Sequence, residues 1–280
     1  MSEFVGCYVS SSGHQRTAAG SMACTTMPHV LGNRRPVVLA ALAHPDDAEL
    51  LCGGTLARLA ERGWTVCVVT ASAGDCGSMD QDSATIAARR LGEAQAAAAV
   101  LGGTHECLGE RDARVFLSER PVSALVAVLR RVQPAIVITH ALSDYMIDHE
   151  QMALIVRAAT FIASAPNYPT GQPQQIAAVP YLYHTDPVGL HDNHGAEVAV
   201  TTVIDISSVL EKKRRALLCH ESQMSWLRQA HGVADPTAEM VAWAARRGAH
   251  IGSTAAEGFS QHRGHAYPTD DLLASILSLS

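Results

Sequence analysis

The sequence predicts an α/β fold on a mainly parallel sheet, and three observations carry that prediction. Apolar runs of strand length alternate with segments of helical apolar spacing through the first 165 residues. The earliest strand, helix and strand follow closely enough to form a βαβ unit, which requires a parallel pair and a right-handed crossover. With 48% hydrophobic and 17% charged residues in 280, the chain can supply one large core, so a single domain is expected over residues 36–280.

Pro36 to Ala43 is a continuous apolar run that stops abruptly at His44-Pro45-Asp46-Asp47, as a strand buried on both faces does. From Ala48 to Arg62 the residues Leu50, Leu51, Leu56, Leu59 and Ala60 follow helical spacing, and Gly63 closes the helix. Trp64 to Thr70 reads as the second strand. After the loop Ala73 to Ser78 come an Ala-rich helix from Ser83 to Leu101, a short strand near Glu106 to Leu108 and a helix from Ser118 to Val132. The strand Ala135 to Thr139 ends at His140, and a helix from Asp148 to Ala163 follows. This alternation is that of a Rossmann-like, doubly wound sheet. Beyond the loop Tyr168 to Pro173 the pattern changes to strands at Ala177 to Thr185 and Val198 to Ile206, then helices at Ser207 to Ala230, Pro236 to Arg247 and Asp270 to Leu279. That reads as a mixed α+β C-terminal extension, with residues 230–280 packed on the same core.

Composition removes several function classes. There are 27 acidic and 21 basic residues, a net charge of −6, and no Lys/Arg cluster larger than that in Glu211 to Arg215, so a nucleic-acid partner is not expected. No apolar run reaches the roughly 18 residues of a membrane span. Residues 1–35 are rich in Ser, Gly, Thr and His without the apolar stretch of a secretory signal, and read as a flexible leader in which Met22 and Met27 are further candidate starts. The seven cysteines form no CxxC pair and no even framework, which with the absent signal points to the cytoplasm. The 14 histidines, about as many as all Trp, Tyr and Phe together, direct attention to metal or acid-base chemistry.

In a doubly wound sheet, ligands bind where the loops at the carboxyl ends of the strands converge. Three polar clusters fall there: His44 to Asp47, Gly74 to Gly77, and Asp144 to His149. His44 and Asp47, three apart on a strand-to-helix turn, can face one centre, and an imidazole with a carboxylate suits zinc. A hydrolytic zinc site takes a third protein ligand, for which His149 is the best supplier. Asp46 is then placed to take a proton from an attacking water, giving metal-assisted hydrolysis of an amide or ester. Helix capping explains one of the two carboxylates but not both beside a histidine. His140 reads as a polar residue closing its strand, and Gly53-Gly54 lacks the remainder of a dinucleotide fingerprint.

The segments Ala43 to Glu49, Gly53 to Leu56, Thr70 to Gly77, Arg90 to Glu93 with Leu101-Gly102, and Asp148-His149 together resemble the PIG-L/LmbE-like zinc-dependent N-acetylglucosaminyl deacetylases. The resemblance covers about residues 36–225. It implies zinc ligands His44, Asp47 and His149, Asp46 as general base, and Arg90 and Asp112 as substrate-binding residues. Lys213 and His220 to Gln223 match the late part of the pattern, and Asp148 is expected to orient a neighbouring imidazole from outside the ligand shell. One departure stands out. Many members carry His-Pro-Asp-His where this chain has Met146-Ile147-Asp148-His149, and Met146 can neither polarise a carbonyl nor protonate an amine. Tyr145, His184, His262 and His265 are the candidates to replace that histidine, with Tyr145 placed at the substrate. The resemblance implies an aminosugar-containing small molecule as partner, and a homo-oligomer by analogy. Alternatives are an amidase acting on a thiol conjugate or a non-sugar secondary metabolite, and a catalytically silent sugar-binding relative.

Overall fold

In the structure, a computed structural model, residues 35–171, 175–230, 232 and 234–278 are described. The leader expected over residues 1–35 therefore lies outside the described residues except for Arg35, as do Gln172 and Pro173 of the predicted loop and Leu279 at the end of the last predicted helix.

Five strands, β1 (Val37–Leu42), β2 (Thr65–Ser72), β3 (Gly103–Glu110), β4 (Ile136–Thr139) and β5 (Tyr181–Thr185), pair in parallel. Two more, β6 (Thr202–Asp205) and β7 (Ala256–Gln261), extend the same sheet, and β7 runs antiparallel to both β5 and β6. The order is β3-β2-β1-β4-β5-β7-β6. It reverses direction at β1, with β2 on one side and β4 on the other, and that reversal opens a crevice beyond the carboxyl ends of β1 and β4. The expected fold class is what the chain adopts.

Alternation along β1 shows why the strand must be apolar throughout. Val38, Ala40 and Leu42 join one core with Leu56, Leu59 and Leu101, while Leu39, Ala41 and Ala43 join a second with Leu125, Leu129, Ile155 and Val156. The first core is covered by α1 (Asp47–Leu51), α2 (Gly53–Glu61) and α3 (Ser83–Leu101), the second by α4 (Glu119–Val132) and α5 (Ile147–Ile162). Strands walled by helices on both faces bury both sets of side chains.

Three elements depart from expectation. The helix predicted over residues 48–62 is two helices, broken at Cys52 (φ −141°, ψ 11°). The break lets α2 begin on the glycine pair: a Cβ on Gly54 would lie 2.7 Å from Ile206, and the Gly54 and Thr55 amides donate to the Glu257 carboxylate at 2.8 and 2.7 Å. Gly53-Gly54 thus binds an anion supplied by the chain itself. The helix predicted over 207–230 is likewise divided, into a short 3₁₀ turn running into α6 (Leu210–Leu217), and α7 (Glu221–Ala230). The third departure is β7, which was not predicted. Its sequence Ala-Glu-Gly-Phe-Ser-Gln has no period of two, because Glu257 is buried on Lys213 and Gly258 is pressed against Asp186. Helices α8 (Pro236–Ala249) and α9 (Leu272–Leu277) complete the extension.

Candidate metal centre

The crevice receives its side chains from two strand ends. β1 passes through His44-Pro45-Asp46-Asp47 into α1, and Asp46 turns the chain with φ +104°, a conformation that costs a residue with a Cβ about 1–3 kcal/mol. Such strain at a carboxylate in a crevice is the mark of a position shaped by its chemistry. β4 ends at His140, and the following loop leads to α5, which carries Asp148 and His149 in its first turn.

His44, Asp47 and His149 converge, with one donor atom from each lying within 4.8 Å of the others, and all three are buried. His44 Nδ1 is 3.4 Å from Asp47 Oδ2, and His149 Nε2 is 3.5 Å from Asp47 Oδ1. The outer nitrogens are held by further carboxylates. His149 Nδ1 lies 3.1 Å from Asp144 Oδ1, and His44 Nε2 lies 3.2 Å from Asp112 Oδ1 and 3.3 Å from Asp148 Oδ2. A carboxylate fixes a proton on the nitrogen it faces, so we assign N–H to these outer positions. The lone pairs of His44 Nδ1 and His149 Nε2 are then left towards Asp47, as a metal requires. Two other groupings satisfy the same distance test, His140 with Asp144 and His149, and His44 with Asp112 and Asp148. Both consist largely of the outer carboxylates that orient the first set.

The charges point the same way. Asp46, Asp47, Asp112, Asp144 and Asp148 crowd this volume, with Arg90 as the permanent cation among them. Burial alone would push the imidazoles of His44 and His149 down, yet the surrounding carboxylates outweigh it and hold both above the ordinary histidine value. Burial would raise Asp47, but the charge of His149 holds it well below the usual carboxylate range. Nitrogen, oxygen and nitrogen donors amid excess buried carboxylate suit a divalent cation of the zinc type. Asp46 behaves differently: burial, opposed by Arg90 and aided by the charge of Asp47, pushes it up to about 6.

Of the residues predicted from sequence, His44, Asp46, Asp47, Asp148 and His149 come together here, and Asp148 meets the His44 imidazole and accepts from the Val115 amide at 3.3 Å. Arg90 and Asp112 are placed otherwise than expected of groups that hold a substrate. Arg90 is 4% exposed, and donates to the carbonyls of Pro45 at 2.7 Å and Gly74 at 3.2 Å. Its guanidinium lies 3.6 Å from Asp46 Oδ1, and a Cβ on Gly74 would come within 2.1 Å of it. It grips the turn that presents Asp46. Asp112 faces His44 with one oxygen and accepts the Cys76 amide with the other.

Tyr145 stands at the mouth of the crevice, 67% exposed, its ring edge-on to His149 at 5.4 Å. His184 is buried behind the site, donating from Nδ1 to the His140 carbonyl at 2.8 Å, and His262 meets it edge-on at 6.2 Å. His265 is exposed. Of the four candidates to replace the histidine absent at Met146, Tyr145 alone lines the cavity that opens at Asp46 and His149.

Sequence reasoning missed Asp144 and His140. Asp144 is buried five residues before His149 and completes a carboxylate-histidine pair; its second oxygen accepts the Val188 amide. His140 stacks on His149 with centroids 4.0 Å apart and rings 8° from parallel. Its Nε2 accepts the Ala43 amide at 2.9 Å, and burial with the charge of His149 pushes it down to about 4. The late residues clamp the surroundings: Lys213 pairs with Glu257 at 2.6 Å, His220 with Glu49 at 3.2 Å, Ser222 with Glu93 at 2.6 Å, and Gln223 donates to the Gly77 carbonyl at 3.2 Å.

Comparison with known proteins agrees with this geometry. The profile of the PIG-L family, described as GlcNAc-PI de-N-acetylase, matches residues 39–160. A 4-oxalmesaconate hydratase of Pseudomonas putida is 32% identical over 193 residues, covering 66% of this chain and 73% of the relative. A 1D-myo-inositol 2-acetamido-2-deoxy-alpha-D-glucopyranoside deacetylase of Rhodococcus erythropolis is 30% identical over 239 residues, covering 67% and 81%. The crystal structure of the 4-carboxy-2-hydroxymuconate hydratase from Pseudomonas putida KT2440 superposes with a TM-score of 0.68 at 27% identity, covering 85% of this chain and 99% of that one. The matched residues 39–160 span β1 to α5 and carry His44, Asp46, Asp47 and His149, and this chain belongs to the PIG-L family.

Proposed function

We propose that the protein is a zinc-dependent N-deacetylase, hydrolysing an N-acetyl amide on an aminosugar-containing small molecule or glycoconjugate to acetate and a free amine. The observation that carries this reading is the placement of Asp46, whose carboxyl burial pushes up to about 6, on the cavity wall beside the convergent His44, Asp47 and His149. Zinc held by those three residues supplies Lewis acidity that polarises an amide carbonyl. The rest is the work of the chain. Asp46 takes a proton as water oxygen bonds to the carbonyl carbon, and returns it to nitrogen as the C–N bond breaks; a group near pH 6 can do both. Arg90 and the strained backbone hold Asp46 in place, and Asp144 and Asp148 keep the imidazole protons away from the ligand nitrogens.

A second reading has specific support. One relative at 32% identity is a hydratase, and Met146 occupies the position where many deacetylases carry histidine. Against it stands the cavity. Its described lining includes Asp46, Asp47 and Glu239 but no Lys or Arg, so beyond a metal held at Asp47 and His149 it offers no basic side chain to the several carboxylates of the substrate that the solved hydratase is named for. The zinc-loaded chain should release acetate and amine in equal amounts from N-acetylglucosamine or its glycosides. Bleaching of an unsaturated hydroxytricarboxylate with no acetate from any amide would establish the hydratase reading instead. Ligand binding with neither reaction would make the protein a silent relative.

A further inference from the structure

The cavity has two unlike ends. At one, Asp46, Asp47, His149 and Tyr145 surround the proposed chemistry; at the other, Leu217 of α6, Met224 and Leu227 of α7, and Pro236 and Trp243 of α8 form a wall that is apolar except for Glu239 of α8. The whole encloses about 280 Å³, enough for more than an acetamido group. Sugar hydroxyls placed against this end would give up water with only the Glu239 carboxylate and the Trp243 N–H among the described lining side chains there to replace it, whereas a hydrocarbon group there gains about 25 cal/mol for each Å² buried. A second sugar or an inositol is therefore a poor occupant. The apolar end opens directly onto Asp46 and His149, so what fills it is carried by the molecule being cleaved.

We propose that the C-terminal extension makes this a site for an apolar substituent: the substrate carries an aryl or medium-chain alkyl group, lodged against Leu217, Leu227 and Trp243 while its amide lies at Asp46. The inference rests on the deacetylase reading and adds the substrate class to it. Two sources of the group are chemically equivalent at this wall, an aglycone and an N-acyl chain. Both differ from the polyol partners named for the inositol-glycoside relatives. Trp243 and Leu227 are both half-buried, and the indole offers an aryl group a stacking partner.

The test compares kcat/KM of the zinc-loaded chain on N-acetylglucosamine, its hexyl and 4-nitrophenyl glycosides, N-hexanoylglucosamine and N,N'-diacetylchitobiose. An apolar substituent should raise kcat/KM by about tenfold or more over the free sugar. Preference for the glycosides assigns the wall to the aglycone, and preference for the hexanoyl amide assigns it to the acyl chain. In Trp243→Ala and Leu227→Glu the ratio should collapse towards one, and Trp243→Phe should restore most of it. Equal rates on all substrates, or preference for the disaccharide, overturns the inference while leaving the deacetylase reading intact. Should no substrate release acetate or, from the hexanoyl amide, hexanoate, calorimetry with hexyl glucoside decides: binding that Leu227→Glu abolishes supports the apolar site without the activity, and no binding to the unmodified chain overturns it.

Discussion

The parallel half of the sheet and the segment after β5 meet at one cavity but are built differently. In the first, chemistry is local: His44, Asp46 and Asp47 share one turn, and Asp144, Asp148 and His149 share another, both at strand ends beside the reversal of strand order. In the second, contacts are long-range and structural: Glu257 reaches back to Gly54 and Thr55, His220 to Glu49, and Gln223 to Gly77. The first half holds the proposed reacting groups, and the second packs around them and supplies the far wall of the cavity.

That division is broken most severely by removing a proposed ligand. His149→Ala should lose bound zinc, read by elemental analysis, and with it all acetate release; retention of both would remove the metal site from the account. Next in size is the buried pair of the second half. Lys213→Met leaves the Glu257 carboxylate buried without its cation and should destabilise the fold by about 3–5 kcal/mol. Thermal denaturation should show a Tm roughly 6–20 °C lower. Zinc content per folded chain should be unchanged, and loss of zinc at unchanged Tm would place Lys213 in the chemistry instead.

Asp144→Asn sharpens the contrast from the other side. It keeps the shape but weakens the hold on His149, so zinc affinity should fall about 10–100-fold in competition with a chelator while the Tm of the metal-free chain moves little. Acid sensitivity gives the smallest effect. Burial pushes His105 and His184 down to about 4 from 6.5. Between those values the unfolded chain binds protons that the folded chain refuses, so their contribution to stability is complete above pH 6.5 and is lost as pH falls towards 4. His184→Asn should flatten the fall in Tm over that window, and an unchanged slope would show that His184 is not refused its proton by the fold.

The same contrast explains what could be read from sequence. Strand β1 and the turn after it were legible because burial on both faces writes an unbroken apolar run that ends where His44 begins. The convergence of His44, Asp47 and His149 was legible because they sit at strand ends, where the fold class itself places function. Strand β7 was not, since its ladder partners, not its side-chain period, make it a strand. Nor was the orientation of Arg90 and Asp112, which depends on Gly74 and on the Cys76 amide approaching from the next loop. Cys52 hid the helix break because the reason for it, the Glu257 carboxylate, lies some two hundred residues away.

The most direct measurement is acetate release by the zinc-loaded Asp46→Asn variant, which keeps the size of the side chain and removes its ability to accept a proton. A fall of about 10²–10⁴ in kcat with one zinc still bound per chain is the predicted result. Wild-type turnover by that variant would contradict the assignment of Asp46 as the proton carrier and, with it, the mechanism proposed for this site.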